Sequence, residues 1–192
     1  MKVYFSSTVK AKKQLARNFS QIYKIIEDLG HKNVSDFVLQ VDEKTFYKRP
    51  SGIADKHYHQ MIKEIKSADT VIFEVSVASL GIGYLVNLVL EMGKPVVLLH
   101  TKEHPPYLFQ FLKSDKLQIY EYSTDNLKKV LYLALEEARQ ASNVRFTFFV
   151  TPKILQFFDY IAKKKKIPRA VYLRKIIDDA MAQEKFKAKA PF

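Results

Sequence analysis

The sequence predicts an α/β fold, an open and mostly parallel five-stranded sheet over residues 1–142, followed by a smaller module of different periodicity over residues 143–192. Three observations carry that expectation. Apolar runs of strand length alternate with stretches of helical spacing through residue 142, the pattern of successive βαβ units. Val71-Ile72-Phe73-Glu74-Val75 and the run from Pro95 to His100 are almost uninterrupted apolar segments, as expected of strands buried on both faces of a parallel sheet. Beyond the short polar hinge Ala141-Ser142-Asn143 the alternation gives way to one strand and two helices.

Val3-Tyr4-Phe5 opens the chain as a strand. Lys10 to Leu29 places Leu15, Phe19, Ile22, Ile25, Ile26 and Leu29 at helical spacing, and Gly30 stops that helix. Val34 to Val41 reads as a second strand, and Asp42 to Gly52, with Pro50 and Gly52, as a loop. Ile53 to Ser67 is a helix with Tyr58, Met61, Ile62 and Ile65 on one face. After the strand at Val71–Val75 comes an apolar helix from Leu80 to Met92, closed by Gly93. The strand from Pro95 to His100, a fifth strand from Leu117 to Tyr122 and an amphipathic helix from Asp125 to Gln140 complete the domain.

A hydrophobic fraction of 47% supports a packed core in a chain of 192 residues. With no cysteine, disulfides and thiolate metal sites are excluded, and the five scattered histidines lack metal-ligand spacing; no metal or cofactor is expected. No apolar run reaches the roughly 18 residues needed to cross a bilayer, and the N-terminus reads as a strand, not a signal peptide. A cytoplasmic protein without membrane association is the expectation. The formal net charge of +12 is uneven: residues 1–142 hold 20 Lys and Arg against 16 Asp and Glu, residues 143–192 hold 12 against 4. Such asymmetry suits a polyanionic partner, nucleic acid before membrane, because electrostatic affinity scales with the phosphates neutralised. A basic tail that merely aids solubility is the alternative.

In the C-terminal module, Arg145 to Val150 is a strand with Phe146, Phe148 and Val150 on one face. Thr151 caps a helix with Pro152 at its first position. That helix turns Ile154, Leu155, Phe158 and Ile161 inward and runs through Lys163-Lys164-Lys165-Lys166 to Ile167-Pro168. A second helix, Arg169 to about Glu184, places Leu173, Ile176, Ile177, Ala180 and Met181 on one side. A lone strand leaves both edges unpaired, and an antiparallel partner from a second copy is the simplest remedy.

Arg-Phe-Thr-Phe-Phe-Val-Thr-Pro, followed by Ile-Leu-x-Phe-Phe-x-Tyr-Ile-Ala-Lys and Ile-Pro-Arg-Ala-Val-Tyr-Leu-Arg-Lys-Ile-Ile, resembles a ribbon-helix-helix DNA-binding domain over residues 144–183. The resemblance implies a homodimer whose paired strands enter the major groove and read base edges with outward side chains. Those positions are Arg145, Thr147 and Phe149. Phe149 departs from the polar residue usual there. The resemblance also implies a phosphate contact at the start of the second helix; here Pro168 contributes no N–H, and Lys165, Lys166 and Arg169 remain to supply charge. A dimerisation ribbon with a solvated lysine face is the competing reading.

Ala68-Asp69-Thr70-Val71-Ile72-Phe73-Glu74-Val75, then Ser79-Leu80-Gly81-Ile82-Gly83-Tyr84, then Met92-Gly93-Lys94-Pro95-Val96-Val97, resembles nucleoside 2-deoxyribosyltransferases, and more closely deoxynucleoside 5′-monophosphate N-glycosidases, over roughly residues 2–122. The resemblance implies a Rossmann-like, deoxyribosyltransferase-like sheet. It also implies a carboxylate nucleophile acting on an N-glycosidic bond and a phosphate-binding serine at the Ser-Leu-Gly-x-Gly-Tyr loop. Glycines before a helix let backbone amides approach an anion, so Ser79, Gly81 and Gly83, with Ser6 and Ser7, are the candidate ligand-binding residues. An ordinary tight strand-to-helix turn is the alternative. The nucleophilic glutamate expected after Gly-x-Gly-Tyr is Leu85, and the supporting aspartate expected eight positions before Asp69 is Met61. Glu74 is the one remaining candidate catalytic carboxylate, although the resemblance makes it strand-end scaffolding. His57, one helical turn before Met61, reads as a surface residue that could face the same cleft.

Three functions follow from these residues. The first is a homodimeric DNA-binding regulator of transcription with a catalytically silent, nucleotide-sensing domain, a pseudoenzyme. The second is an oligomeric assembly or partner-recruiting protein without sequence-specific DNA binding. The third is an active deoxynucleotide N-glycosidase or transferase working through another carboxylate.

Overall fold

The computed structural model describes residues 1–46, 48, 50–141, 149–165 and 168–184. The chain divides into two compact units, Met1–Val144 and Arg145–Phe192. In the first, strands β1 (Lys2–Ser7), β2 (Lys32–Asn33), β3 (Thr70–Glu74), β4 (Val96–His100) and β5 (Leu117–Glu121) form one sheet of order β2-β1-β3-β4-β5. Every pairing is parallel. The helices are α1 (Lys12–Asp28), α2 (Phe37–Gln40), α3 (Glu43–Phe46), α4 (Ser51–Ser67), α5 (Leu80–Glu91) and α6 (Leu127–Ala141).

Side chains alternate through the sheet as the two-residue strand period requires. Val3, Phe5, Ile72, Val97 and Leu99 join Phe19, Ile22 and Ile26 of α1 and Leu131 and Leu135 of α6 in one core. Tyr4, Val71, Phe73, Val96 and Leu98 join Ile65 of α4 and Val86 and Val89 of α5 in the other. All five residues of β3 and of β4 are buried, which is why both read as continuous apolar runs.

Glycine is required at two helix ends. Gly30 (φ +78°) and Gly93 (φ +70°) are left-handed, a conformation that side chains with a Cβ disfavour. Each closes a Schellman motif: Gly30 N–H donates to Glu27 O and His31 N–H to Ile26 O, while Gly93 N–H donates to Leu90 O and Lys94 N–H to Val89 O. The Gly30 turn returns the chain to the sheet edge as β2.

The expected strand from Val34 to Val41 is absent: pairing stops at Asn33, and Phe37–Gln40 is helical. Val34, Val38 and Val41 stand at i, i+4 and i+7, the spacing of a helix face, and Val38 and Val41 are buried. Lys12 holds this segment through its ammonium, which donates to Leu39 O and Val41 O. The expected loop from Asp42 to Gly52 contains α3, and α4 starts at Ser51, two residues before Ile53.

The second unit has helices α7 (Pro152–Lys165) and α8 (Arg169–Gln183). Thr151 Oγ1 accepts the Ile154 N–H at 3.4 Å, the N-cap its position before Pro152 implied. Phe157 and Phe158 both approach the Tyr172 ring, with centroids at 6.3 Å. Among the described residues of this unit only Ile161 is a buried apolar side chain; Ile154, Leu155, Ile176, Ile177 and Met181, expected inward, are exposed in the single chain. Phe146 and Phe148 lie outside the described residues. No helix among the described residues is long and apolar enough to cross a membrane.

Leu98, fully buried in β4, tests the packing of the second core. Leu98→Ala is expected to lower unfolding free energy by about 2–5 kcal/mol in chemical denaturation, whereas the same change at exposed Leu108 should have a negligible effect.

Candidate functional site

In an open parallel sheet, ligands bind beyond the carboxyl ends of the strands where the order reverses. Here that point lies between β1, which leads through α1 to β2 on one side, and β3, which leads through α5 to β4 on the other. Ser6 and Ser7 end β1, and Glu74 ends β3 opposite Ser7. Ser79 caps α5, its Oγ accepting the Ile82 N–H at 3.4 Å.

A cavity of about 350 Å³ opens at this point. Ser6, Ser7, Ser79 and Gly81, the candidate ligand residues, all line it, as do Met61, Leu85 and His57. Gly83 lies instead against a neighbouring cavity of about 770 Å³, which shares Ser79 and Tyr84 with the first. Neither Gly81 nor Gly83 has a positive φ, and a Cβ on Gly81 would meet only Ser79 Oγ, at 3.8 Å. Their contribution is therefore the absence of a side chain in the first turn of α5, not a strained turn. No Asp or Glu is found among the described residues lining the first cavity.

Much of the rest of that cavity is aromatic, and the sequence pattern did not bring these rings together. Phe37, Phe46, Tyr58 and Tyr84 line it together with Tyr4. His57, read as a surface histidine, is half-buried, its ring 4.1 Å from that of Phe37 at 31° and edge-on to Phe46 at 5.9 Å. Tyr58 and Tyr84 bring their hydroxyls to 3.4 Å of each other. Phe37 and Phe46 fell in segments read as strand and loop, so no periodicity marked them as neighbours of α4.

Glu74 is wholly buried and does not line the cavity. Its Oε1 accepts from Ser76 N–H at 3.2 Å, from the Ser76 hydroxyl and from Tyr122 Oη at 3.4 Å; its Oε2 accepts from Ser7 Oγ at 3.3 Å. Ser7 Oγ also lies 2.9 Å from Glu74 O. The one proton of the Ser7 hydroxyl is thus committed to Glu74, leaving Ser7 an acceptor and a poor donor to a phosphate. Burial pushes the Glu74 carboxyl above its ordinary value, against four hydrogen bonds that pull it down.

Of the residues expected to contact DNA, Arg145, Thr147 and Lys166 lie outside the described residues. Phe149 is fully exposed and outside any helix or strand. The Lys165 ammonium sits 5.0 Å from the centre of the Tyr172 ring, and Arg169 forms an ion pair with Asp159 of α7. Both cations therefore hold α7 and α8 together as well as contributing charge.

Comparison with known proteins bears on the first unit. A Thermofilum pendens protein named "Putative 2′-deoxynucleoside 5′-phosphate N-hydrolase 1" is 27% identical over 143 residues, covering 72% of this chain and 90% of its own length. The 5-hydroxymethyl-dUMP N-hydrolase of Mus musculus is 22% identical over 139 residues, covering 70% and 79%. The structure of a CMP N-glycosidase from Clostridium botulinum superposes with a TM-score of 0.50 at 20% identity, over 69% of this chain and 98% of that one. The first unit has the nucleoside deoxyribosyltransferase and nucleotide N-hydrolase fold. Its homologues are members of that family. No family model matches the chain.

In this N-hydrolase-like unit, Glu74 makes folding pH-dependent. Because its folded value is raised, the stability linked to its proton is fully present below the ordinary carboxylate value of 4.5 and is lost as pH rises through the folded value. Glu74→Gln keeps one carbonyl acceptor for Ser76 and Tyr122 and removes the titration. Denaturant melts from pH 4 to 8 should show wild type losing stability relative to Glu74→Gln as pH rises; parallel curves would contradict this assignment.

Proposed function

We propose that this chain is a homodimeric DNA-binding regulator whose N-hydrolase-like unit binds a deoxynucleotide without cleaving it. The observation that carries the silent site is the pairing of Met61 and Leu85 in one cavity with the candidate ligand serines, and no carboxylate among its described lining residues. Glycosidic cleavage with an oxocarbenium-like transition state uses a carboxylate to capture or stabilise the sugar. Glu74 does not supply one, being buried beneath Ser7 and Ser76 with both oxygens occupied. What favours a deoxynucleotide is an aromatic-walled cavity beside a serine-capped helix start, together with relatives named for deoxynucleoside 5′-phosphates and 5-hydroxymethyl-dUMP.

The DNA-binding half rests on the excess of 12 Lys and Arg over 4 Asp and Glu in residues 143–192 and on the ribbon-helix-helix resemblance. The exposed apolar side chains of α7 and α8 favour a second copy, since two helices with one buried apolar residue do not make a core. A second reading, assembly without DNA readout, is favoured by the engagement of Lys165 with Tyr172 and of Arg169 with Asp159.

Incubation with deoxynucleoside 5′-monophosphates should raise the melting temperature and release no free base by chromatography. A measurable rate abolished by Glu74→Gln would establish an active N-glycosidase instead.

Gel shifts on duplex DNA at two salt concentrations test the other half. Arg145→Ala should cost about 1–3 kcal/mol per base contact and relax sequence preference, while Lys165→Ala should weaken all duplexes alike and reduce the salt slope by about one. Equal, weak and salt-independent binding by wild type and Arg145→Ala would leave the assembly reading.

A further inference from the structure

The two cavities of the N-hydrolase-like unit meet at a shared ridge formed by Ser79 and Tyr84. Small-ligand pockets run from about 300 to 1,000 Å³. The first cavity, at about 350 Å³, already takes a nucleoside-sized group, so the second, at about 770 Å³, is surplus to a mononucleotide. It is not an ordinary surface hollow: Tyr84, Pro105, Pro106, Tyr107 and Leu108 form its apolar wall, and Leu80 (93% exposed) and Leu108 (86% exposed) stand bare at its edge. Exposed apolar side chains gathered around one cavity form the kind of surface that binding grooves present, and ring faces stack on bases with little regard for base identity.

Resting on the deoxynucleotide reading above, we propose that this unit takes a dinucleotide. One nucleoside occupies each cavity, and the phosphodiester linker crosses the ridge at Ser79. The occupant is argued from continuity. The second cavity shares two residues with the first, so a group entering it is within one linkage of a base in the aromatic cavity. The two glycines in the first turn of α5 clear the path, Gly81 lining the first cavity and Gly83 the second. Exposed Glu103 in the second cavity favours a base there over a phosphate, because its carboxylate repels a phosphate and accepts from an exocyclic base amine.

Calorimetric titration of the full chain with deoxynucleoside 5′-monophosphates and with linear deoxydinucleotides tests this. The best dinucleotide should bind at least about tenfold more tightly than either component monophosphate, the scale of one stacked base. Leu108→Asp and Tyr107→Ala, both at exposed positions, should remove that margin and leave monophosphate affinity unchanged. Monophosphate binding with no dinucleotide advantage would overturn the two-cavity site and leave the mononucleotide receptor standing. Binding of neither would overturn both. A fall in native mass on Leu108→Asp, without loss of the wild-type monophosphate affinity, would make the second cavity an interface between copies and overturn the dinucleotide.

Discussion

A single buried carboxylate holds the carboxyl ends of four strands in place. Glu74 closes β3; Ser7, which donates to it, closes β1; Tyr122, which donates from the other side, directly follows β5. Ser76 donates to Glu74 through both its N–H and its hydroxyl, and its Oγ in turn accepts the Thr101 N–H at 2.8 Å, just beyond β4. Burying an ionisable carboxyl is costly unless its oxygens are hydrogen-bonded, and here both are. The consequence reaches both cavities, for Ser7 lines the first and Ser76 the second. Their floors are therefore parts of one hydrogen-bonded unit.

That arrangement depends on the topology, and the topology was largely legible. Strands buried on both faces have almost no polar residues to confuse the pattern, so β3 and β4 were found close to their true limits, and Gly30 and Gly93 marked the ends of α1 and α5 because only a left-handed residue completes their Schellman motifs. The edge was not legible. A two-residue β2 has too few positions to show alternation, and the apolar Val34, Val38 and Val41 that follow satisfy a strand-like composition while obeying helical spacing.

The site divides along the same line. Ser6, Ser7, Ser79 and Gly81 converge because they stand at strand and helix ends that any parallel sheet of this order brings together. The aromatic wall did not show, because Phe37 and Phe46 come from two four-residue helices whose position is set by tertiary contacts, among them the Lys12 clamp on Leu39 and Val41. Nor could sequence tell that the Ser7 proton is committed to Glu74, a fact of register between β1 and β3 and not of either strand alone.

Met61 and Leu85 belong to different helices, α4 and α5, yet both are apolar and both face one cavity. A carboxylate at either position would carry a desolvation penalty in an aromatic pocket, and a second acid at the other would add like-charge repulsion. With both apolar, the lining of the cavity suits planar, weakly polar groups. The distinction matters for regulation. An effector shifts an equilibrium only by its differential affinity for two states, and occupancy of a non-cleaving site follows ligand concentration alone. A site that hydrolysed its ligand would make occupancy depend on turnover and product release as well. On the reading proposed for this chain, loss of the two acidic groups converts a site whose occupancy is limited by chemistry into one whose occupancy reports concentration at equilibrium.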